Sequence, residues 1–354
     1  MTKLHLLDMT PAKLDAWCRD RGLEAYRARQ AFEWVYRHRA ESFEAMTNLP
    51  KRLRVDLAGQ LAIYQSQVTA QRHAEDGTEK LLLSWPDGAA TECVLIPERR
   101  RQTACLSTQV GCPVGCAFCA SGLAGFERNL TAGQIVEQAM RLRAGTDDGL
   151  SHVVLMGIGE PLLNYDAVVS AIRTLNAPWG LGIGARRITL STVGVPKQIR
   201  RLASEDLQIN LAVSLHAPTD ALRRELVPMA ETVSIAQIIE ATRDYFDQTG
   251  REVTLEYVLL GGMNDRQTHT EHLVRIAHQI RCNVNLIRYN PVAGLPFRAP
   301  EPDAVTAFAG ALRRGGVNVH IRASRGGDIE AACGQLRLVR TAQQATGTRE
   351  DPLA

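Results

Sequence analysis

The sequence predicts an α/β fold with a small N-terminal helical and hairpin domain, and three observations carry that prediction. From about residue 103 onward, short apolar strands alternate with amphipathic helices at a spacing of roughly 25 to 45 residues, the pattern of strand-helix units on a parallel sheet. Before that point the chain reads first as helices and then as a β-hairpin. Lastly, the chemically unusual residues fall repeatedly just after strands, on the face from which strand-to-helix connections emerge in such an array.

Taken in order, residues 1 to about 60 are helical. Pro11 to Arg21 and Arg27 to Arg39 carry apolar residues (Leu14, Trp17, Cys18; then Ala31, Phe32, Val35, Tyr36) at three-and-four spacing, and Ser42 to Leu57 continues in that manner. Their polar faces hold Arg27, Arg29, Arg37 and Arg39, which by themselves describe a solvated charged face. Leu81 to Trp85, a Pro86-Asp87-Gly88 turn and Thr91 to Ile96 read as a hairpin. The run Arg99 to Arg101 marks a boundary, so residues 1–98 form an accessory domain, 99–340 the α/β domain and 341–354 a polar tail. Within the second domain, strand Thr103 to Ser107 leads to a cysteine loop, and Thr131 with Gln134 forms a capping box opening a helix to about Arg143. Strands then follow at His152 to Met156, Arg187 to Leu190, Gln208 to Leu215, Glu252 to Leu260, Asn283 to Ile287 and Val317 to Ile321. Between them lie helices at Asp166 to Leu175, after Pro196, from Ser234 to Gly250, around Glu271 to Ile280, and from Pro302 to Arg314, which Gly315 closes.

Composition sets outer limits. A chain of 354 residues with 45% hydrophobic and 22% charged residues is that of an ordinary globular protein with ample core. No apolar run approaches the ~20 residues of a membrane span, and Met1 to Thr10 lacks a signal-peptide core, so a cytoplasmic address and no membrane partner are expected. Eight cysteines, three of them in one loop, suit a reducing compartment and metal or redox chemistry. The net charge of +3 permits a nucleic-acid partner without demanding one.

The chemistry concentrates in Cys112-Pro113-Val114-Gly115-Cys116-Ala117-Phe118-Cys119. Three cysteines spaced C-x3-C-x2-C converge on one centre, because the intervening glycine and proline let a short backbone curl. Zinc is the competing occupant, but structural zinc prefers four ligands in paired knuckles, and no second knuckle is present. Three thiolates would leave one iron of a 4Fe-4S cube without a protein ligand. Polar clusters also follow the strands at Gly157-Ile158-Gly159-Glu160-Pro161, Ser191-Thr192, Ser214-Leu215-His216 and Tyr289-Asn290-Pro291. Each is weak alone, yet on one rim they would line a pocket for a polar ligand beside the cysteine loop. Cys105 lies seven residues before the loop, and Cys333 sits in a glycine-flanked segment after the last strand. Cys18, Cys93 and Cys282 read as small buried hydrophobes, whereas the setting of Cys333 admits a reactive role.

The cysteine spacing resembles that of the radical S-adenosylmethionine enzymes. With Cys105, Gln109-Val110-Gly111-Cys112, Met156 through Asn164, Ser214-Leu215-His216-Ala217-Pro218 and Asp328 through Leu336, the chain is similar over about residues 25 to 337 to the radical S-adenosylmethionine RNA adenine-C2 methyltransferases. The resemblance implies a partial TIM-like (β/α) barrel behind an RNA-binding domain. It also implies a 4Fe-4S cluster on Cys112, Cys116 and Cys119, two S-adenosylmethionine molecules per turnover, and an adenosine of 23S rRNA, with adenosine 37 of certain tRNAs, as substrate. An electron donor such as flavodoxin and a monomeric state are implied too.

Carbon 2 of adenine is electron-poor and bears a plain hydrogen, which explains a radical route. In the family, one cosubstrate methylates the cysteine matching Cys333, and a radical from the second takes a hydrogen from that methyl group. The carbon radical adds to the base, and the cysteine matching Cys105 releases product by a transient disulfide. Glu92 matches the family's proton acceptor; Gly159, Glu160, Ser191, Ser214, Leu215, His216 and Asn290 match its cosubstrate residues. The resemblance also turns the arginine-rich first domain and Arg99 to Arg101 into a phosphate-tracking surface. The adenine-C8 branch is the alternative, with Glu160-Pro161-Leu162-Leu163-Asn164 and Ala217-Pro218 looking more like the C2 branch. A non-catalytic iron-sulfur RNA-binding protein is the alternative of another class. One departure is Arg288, where the family usually has proline.

Overall fold

The computed structural model describes residues 3–24, 26–123, 125–146 and 149–337. The expected tail 341–354, and the last three residues of the expected second domain, lie outside them.

The N-terminal part forms as the apolar spacing predicts. Thr10 caps the helix Pro11–Arg19 by accepting from Lys13 N–H, with Pro11 in the first turn, where its missing donor costs nothing. The helix Tyr26–Tyr36 buries Phe32, Val35 and Tyr36 against it. The continuous helix expected over Ser42 to Leu57 is instead split into a 3-10 turn at Phe43–Ala45 and a helix at Lys51–Gln60. Pro50 is the reason: it lacks an N–H and stands at ψ 142°, outside the helical region. Two short strands, β1 (Leu4–His5) and β2 (Leu61–Ala62), pair in parallel and bring the ends of this unit together.

One mostly parallel sheet dominates the rest. Its strands are β3 (Gln67–His73), β4 (Glu79–Ser84), β5 (Ala90–Glu98) and β6 (Arg101–Cys105); a separate antiparallel pair is β7 (Gln109–Gly111) with β8 (Phe126–Asn129). The main sheet continues with β9 (His152–Leu155), β10 (Ile188–Thr192), β11 (Asn210–Ser214), β12 (Val253–Leu259), β13 (Cys282–Arg288) and β14 (Val319–Arg322). In space the order runs from β14 down to β9, then β6, β5, β4 and β3. β6 and the six strands β9 to β14 are parallel to one another, while β3, β4 and β5 join β6 in antiparallel pairs and leave the sheet open, as a partial (β/α) barrel requires. The hairpin is thus no separate layer: β5 pairs with β6 from Val94↔Cys105 to Glu98↔Arg101, across residue 98.

Helices cover the sheet where their caps place them. Thr131 and Gln134 form the capping box of Ala132–Ala144, and Ser234 with Gln237 opens Ile235–Thr249, which ends at Gly250 with φ 66°. The short helix Asp220–Leu226, capped by Thr219, has no counterpart in the sequence reading. Leu155, Leu190, Leu211, Val213, Leu255 and Leu286 are buried to 1% exposure or less beneath the helices, as parallel strands covered on their faces should be.

Glu137, fully buried on the helix Ala132–Ala144, ties the N-terminal part to the barrel. It accepts from the backbone N–H of Gln65 at 2.9 Å and of Ser66 at 2.7 Å and from the Ser66 hydroxyl, while His5 Nε2 lies 3.1 Å away. Beside it, Asp8 accepts from Gly133 N–H at 2.6 Å.

Candidate active site

The cysteine loop hangs from β7 by a contact only glycine permits. Gly111 has φ +74°, and a Cβ there would lie 2.1 Å from the Gly125 carbonyl oxygen. The loop then folds on itself: Cys112 N–H donates to Gly125 and Cys119 N–H to Cys116, while Ala117 N–H reaches Leu226 on the unforeseen helix. Cys112, Cys116 and Cys119 are half-buried, pack on an apolar cluster with Val114 and Phe118, and line a cleft of about 960 Å³ at the C-terminal ends of the strands. Among the described residues, no three His, Cys, Asp or Glu side chains close around a single metal ion. Three soft sulfur donors facing a cleft, with no fourth ligand, fit a 4Fe-4S cluster with one iron left for a cosubstrate, and leave zinc short of its tetrahedron.

The expected rim residues meet in this cleft. Gly159, at φ +108°, lies so close to Thr108 and Gln109 that a Cβ would come within 2.8 Å of both side chains. Glu160 follows, 4% exposed, and is fixed at both oxygens: Thr192 Oγ1 (2.7 Å) and Leu162 N–H donate to Oε1, and Val193 N–H (2.7 Å) to Oε2. Burial pushes its pKa up, and those three donors hold the rise in check. Ser191 and Ser214, from neighbouring strands, share a hydroxyl contact of 3.2 Å. Leu215 lies off the cleft wall, its side chain fully buried, and its N–H donates to the Glu256 carbonyl.

His216 takes the left-handed conformation, φ 59°, and stands edge-on to Phe118 of the cysteine loop. Its Nδ1 accepts from Val258 N–H at 3.2 Å, which leaves the proton on Nε2. Burial, with help from nearby Arg223, lowers its pKa to about 3. The imidazole is therefore neutral throughout the working range, and an NMR titration from pH 5 to 8 should leave the His216 ring signals constant.

A second chamber of about 1240 Å³ adjoins the first, sharing Cys119, Asn290, Arg322 and Cys333 with it. Cys105 lies on its wall, 7% exposed, its thiol pushed up to about 12 by burial and by Cys333, with Arg322 acting the other way. Cys333 is exposed, on a segment bound to both sides of the cleft: Ala120 N–H donates to Gly334, Ser121 Oγ to Leu336, and Asn290 Nδ2 to the Cys333 carbonyl at 3.4 Å. The turn between β3 and β4 and the start of β4 hold the same segment, through Gly326 N–H on Asp76, Glu75 N–H on Asp328, and Lys80 Nζ on the Glu330 carbonyl. All eight cysteines are free, so the implied Cys105–Cys333 disulfide is not formed in this structure.

Glu92 does not join them. It is buried on β5 outside the lining of both chambers, with Oε1 2.9 Å from Lys80 Nζ and Oε2 accepting from Arg337 N–H at 2.9 Å. Two cleft residues escape the sequence reading, Glu256 and Arg322. A lone carboxylate inside the apolar strand Val253–Leu259, and an arginine closing the last strand at the functional face, are the signals that point to them.

Comparison with known proteins agrees with this geometry. The family described as "Radical SAM superfamily" matches residues 106–274, and the "Ribosomal RNA large subunit methyltransferase N-terminal domain" matches residues 4–63. A Rhodopirellula baltica protein named "Probable dual-specificity RNA methyltransferase RlmN" is 47% identical over 346 residues, covering 97% of this chain and 93% of that one. A protein of the same name from Thermosynechococcus vestitus is 46% identical, covering 94% and 98%. The crystal structure of a radical SAM methyltransferase from Sphaerobacter thermophilus superposes with a TM-score of 0.92 at 45% identity, covering 94% of this chain and 99% of that one. Such identity across nearly the full length of both partners places the chain: it belongs to the RlmN family of radical SAM RNA methyltransferases.

Proposed function

We propose that this protein transfers a methyl group to C2 of adenosine in 23S rRNA, and to adenosine 37 of some tRNAs, with Cys333 as the carrier. The observation that supports this most is the position of Cys333, an exposed thiol on the wall that the two chambers share. The cofactors that Cys112, Cys116, Cys119 and the rim would hold, a 4Fe-4S cluster and S-adenosylmethionine, supply one-electron cleavage of the cosubstrate when bound. Glu160 offers a fixed carboxylate to the cosubstrate ammonium group, Gly159, Ser191, Ser214, His216 and Asn290 complete its seat, and Leu215 acts behind the wall by anchoring Ser214 and His216.

On the other side, Cys105 faces the chamber open to the base and serves as the release thiol. Glu92 serves as the proton acceptor through Oε2 once Arg337 N–H releases it, while Lys80 on β4 keeps Oε1. The first 98 residues track RNA phosphates, as exposed Arg29, Arg37 and Arg39 in that part, with Arg99, Arg100 and Arg101 just beyond it, allow. The enzyme works as a cytoplasmic monomer fed by an electron donor such as flavodoxin; no described helix is long and apolar enough to cross a membrane.

Mass spectrometry of nucleosides from 23S rRNA and tRNA of a deletion strain tests the reading. Loss of 2-methyladenosine, restored by the gene, is expected. Loss of 8-methyladenosine instead overturns the C2 assignment, and unchanged nucleosides overturn methylation altogether.

A further inference from the structure

Among the described residues, Arg322 at the end of β14 is the one cation on the walls of both chambers. Its Nη1 lies 3.5 Å from Glu256 Oε2 and 3.6 Å from Met156 Sδ. Glu256 is 3% exposed, and its other oxygen accepts from Asn285 Nδ2 at 2.9 Å, from the residue directly opposite in the β12–β13 register. Three neighbouring strands thus contribute one relay, Asn285 to Glu256 to Arg322, that points the guanidinium into the cleft. The arginine side chain keeps 31% of its surface exposed, so the pair is a cleft feature rather than a core ion pair.

Met156 links this relay to the thiol on β6, since its side chain contacts Arg322 and its backbone hydrogen-bonds Cys105. The groups around Cys105 are few. Cys333 faces it across the chamber, Cys93 lies behind it on β5, and Glu98, Arg101 and Arg325 line the same chamber with Arg322. Burial and then Cys333 push the Cys105 thiol up to about 12, with Arg322 and the Met156 backbone opposing them, and Arg322 interacts with both thiols, Cys333 more strongly than Cys105. Thiolate, not thiol, attacks sulfur, so a buried release thiol depends on a cation beside it.

We propose that Arg322, aimed by Glu256 and Asn285, is the positioning residue that makes Cys105 a competent nucleophile toward the Cys333 sulfur. The proposal rests on the assignment of Cys105 as release thiol. In the step it governs, Cys105 gives its proton to solvent and its thiolate attacks Cys333 sulfur. A sulfur–sulfur bond forms, the bond from Cys333 to its leaving group breaks, and the leaving group departs with that electron pair.

The step can be followed without cosubstrate or RNA, which separates it from methylation. Anaerobic cluster-bound protein is treated with 5,5′-dithiobis(2-nitrobenzoate), with peptide mass spectrometry locating the label. Exposed Cys333 reacts first and releases one thionitrobenzoate; Cys105 then displaces the second from Cys333, a phase absent in Cys105→Ala. Arg322→Gln should still complete the first phase, slow the second several-fold at neutral pH relative to it, and move the pH profile of the second upward; because Arg322 also lies beside Cys333, the ratio of the two rates is the readout. Arg322→Lys should recover most of the rate, which a purely structural loss would not allow. A second phase with the same rate and pH profile in Arg322→Gln overturns the role of Arg322. Its absence from the unmodified protein overturns the thiol pairing beneath it.

Discussion

Cys333→Ala is expected to abolish 2-methyladenosine, because no other described thiol is both exposed and placed on the wall between the chambers. Cys119 also lies on that wall, but it is half-buried within the cysteine loop. Cys105→Ala should behave differently: methylene transfer to RNA proceeds and release does not, so protein accumulates covalently joined to RNA. Methyl-labelled S-adenosylmethionine followed by denaturing electrophoresis distinguishes them, with no label on RNA for Cys333→Ala and a labelled protein–RNA adduct for Cys105→Ala. Normal turnover by Cys105→Ala, with no adduct, removes the release assignment.

The largest stability effect is expected at Glu137. Glu137→Ala leaves the buried N–H groups of Gln65 and Ser66 and the Ser66 hydroxyl without their acceptor and should cost roughly 3–5 kcal/mol, the range for breaking a buried charged network. Burial alone would raise the Glu137 pKa, but His5 and the donors from Gln65 and Ser66 bring it below its ordinary value of 4.5. A depressed carboxylate contributes its full stabilisation above the unfolded-state value and loses it as pH falls through the folded one. Urea titrations should therefore show the gap between wild type and Glu137→Gln widest near neutrality and closing below about pH 4.5.

Much of this architecture is legible from local chemistry. Capping at Thr131 and Ser234 and the stop at Gly250 need only neighbouring residues, and the structure places each as read. The elements that escape obey no local rule. β3 has all seven residues exposed, so it carries no buried alternation and exists because β4 offers it an edge. The rim clusters are readable because the strands are parallel, and their glycines and polar groups interrupt apolar sequence. Arg322 and Glu256 are harder, since each matters only through a partner from another strand, and Glu92 hides an ion pair with Lys80 behind an ordinary strand pattern.

The antiparallel seam between β5 and β6 bears on how such a protein can be inherited. A recombination event that swapped the front of the gene at residue 98 would cut through paired strands, baring an edge ready to pair with a stranger. A break that severs no pairing of the main sheet lies earlier, in the short link between β2 and β3, close to where the N-terminal family match ends at residue 63, although Gln65 and Ser66 in that link are held by Glu137. β4, β5 and the turn before them, with their grip on the Cys333 segment through Asp76, Lys80 and Glu92, would then stay with the barrel.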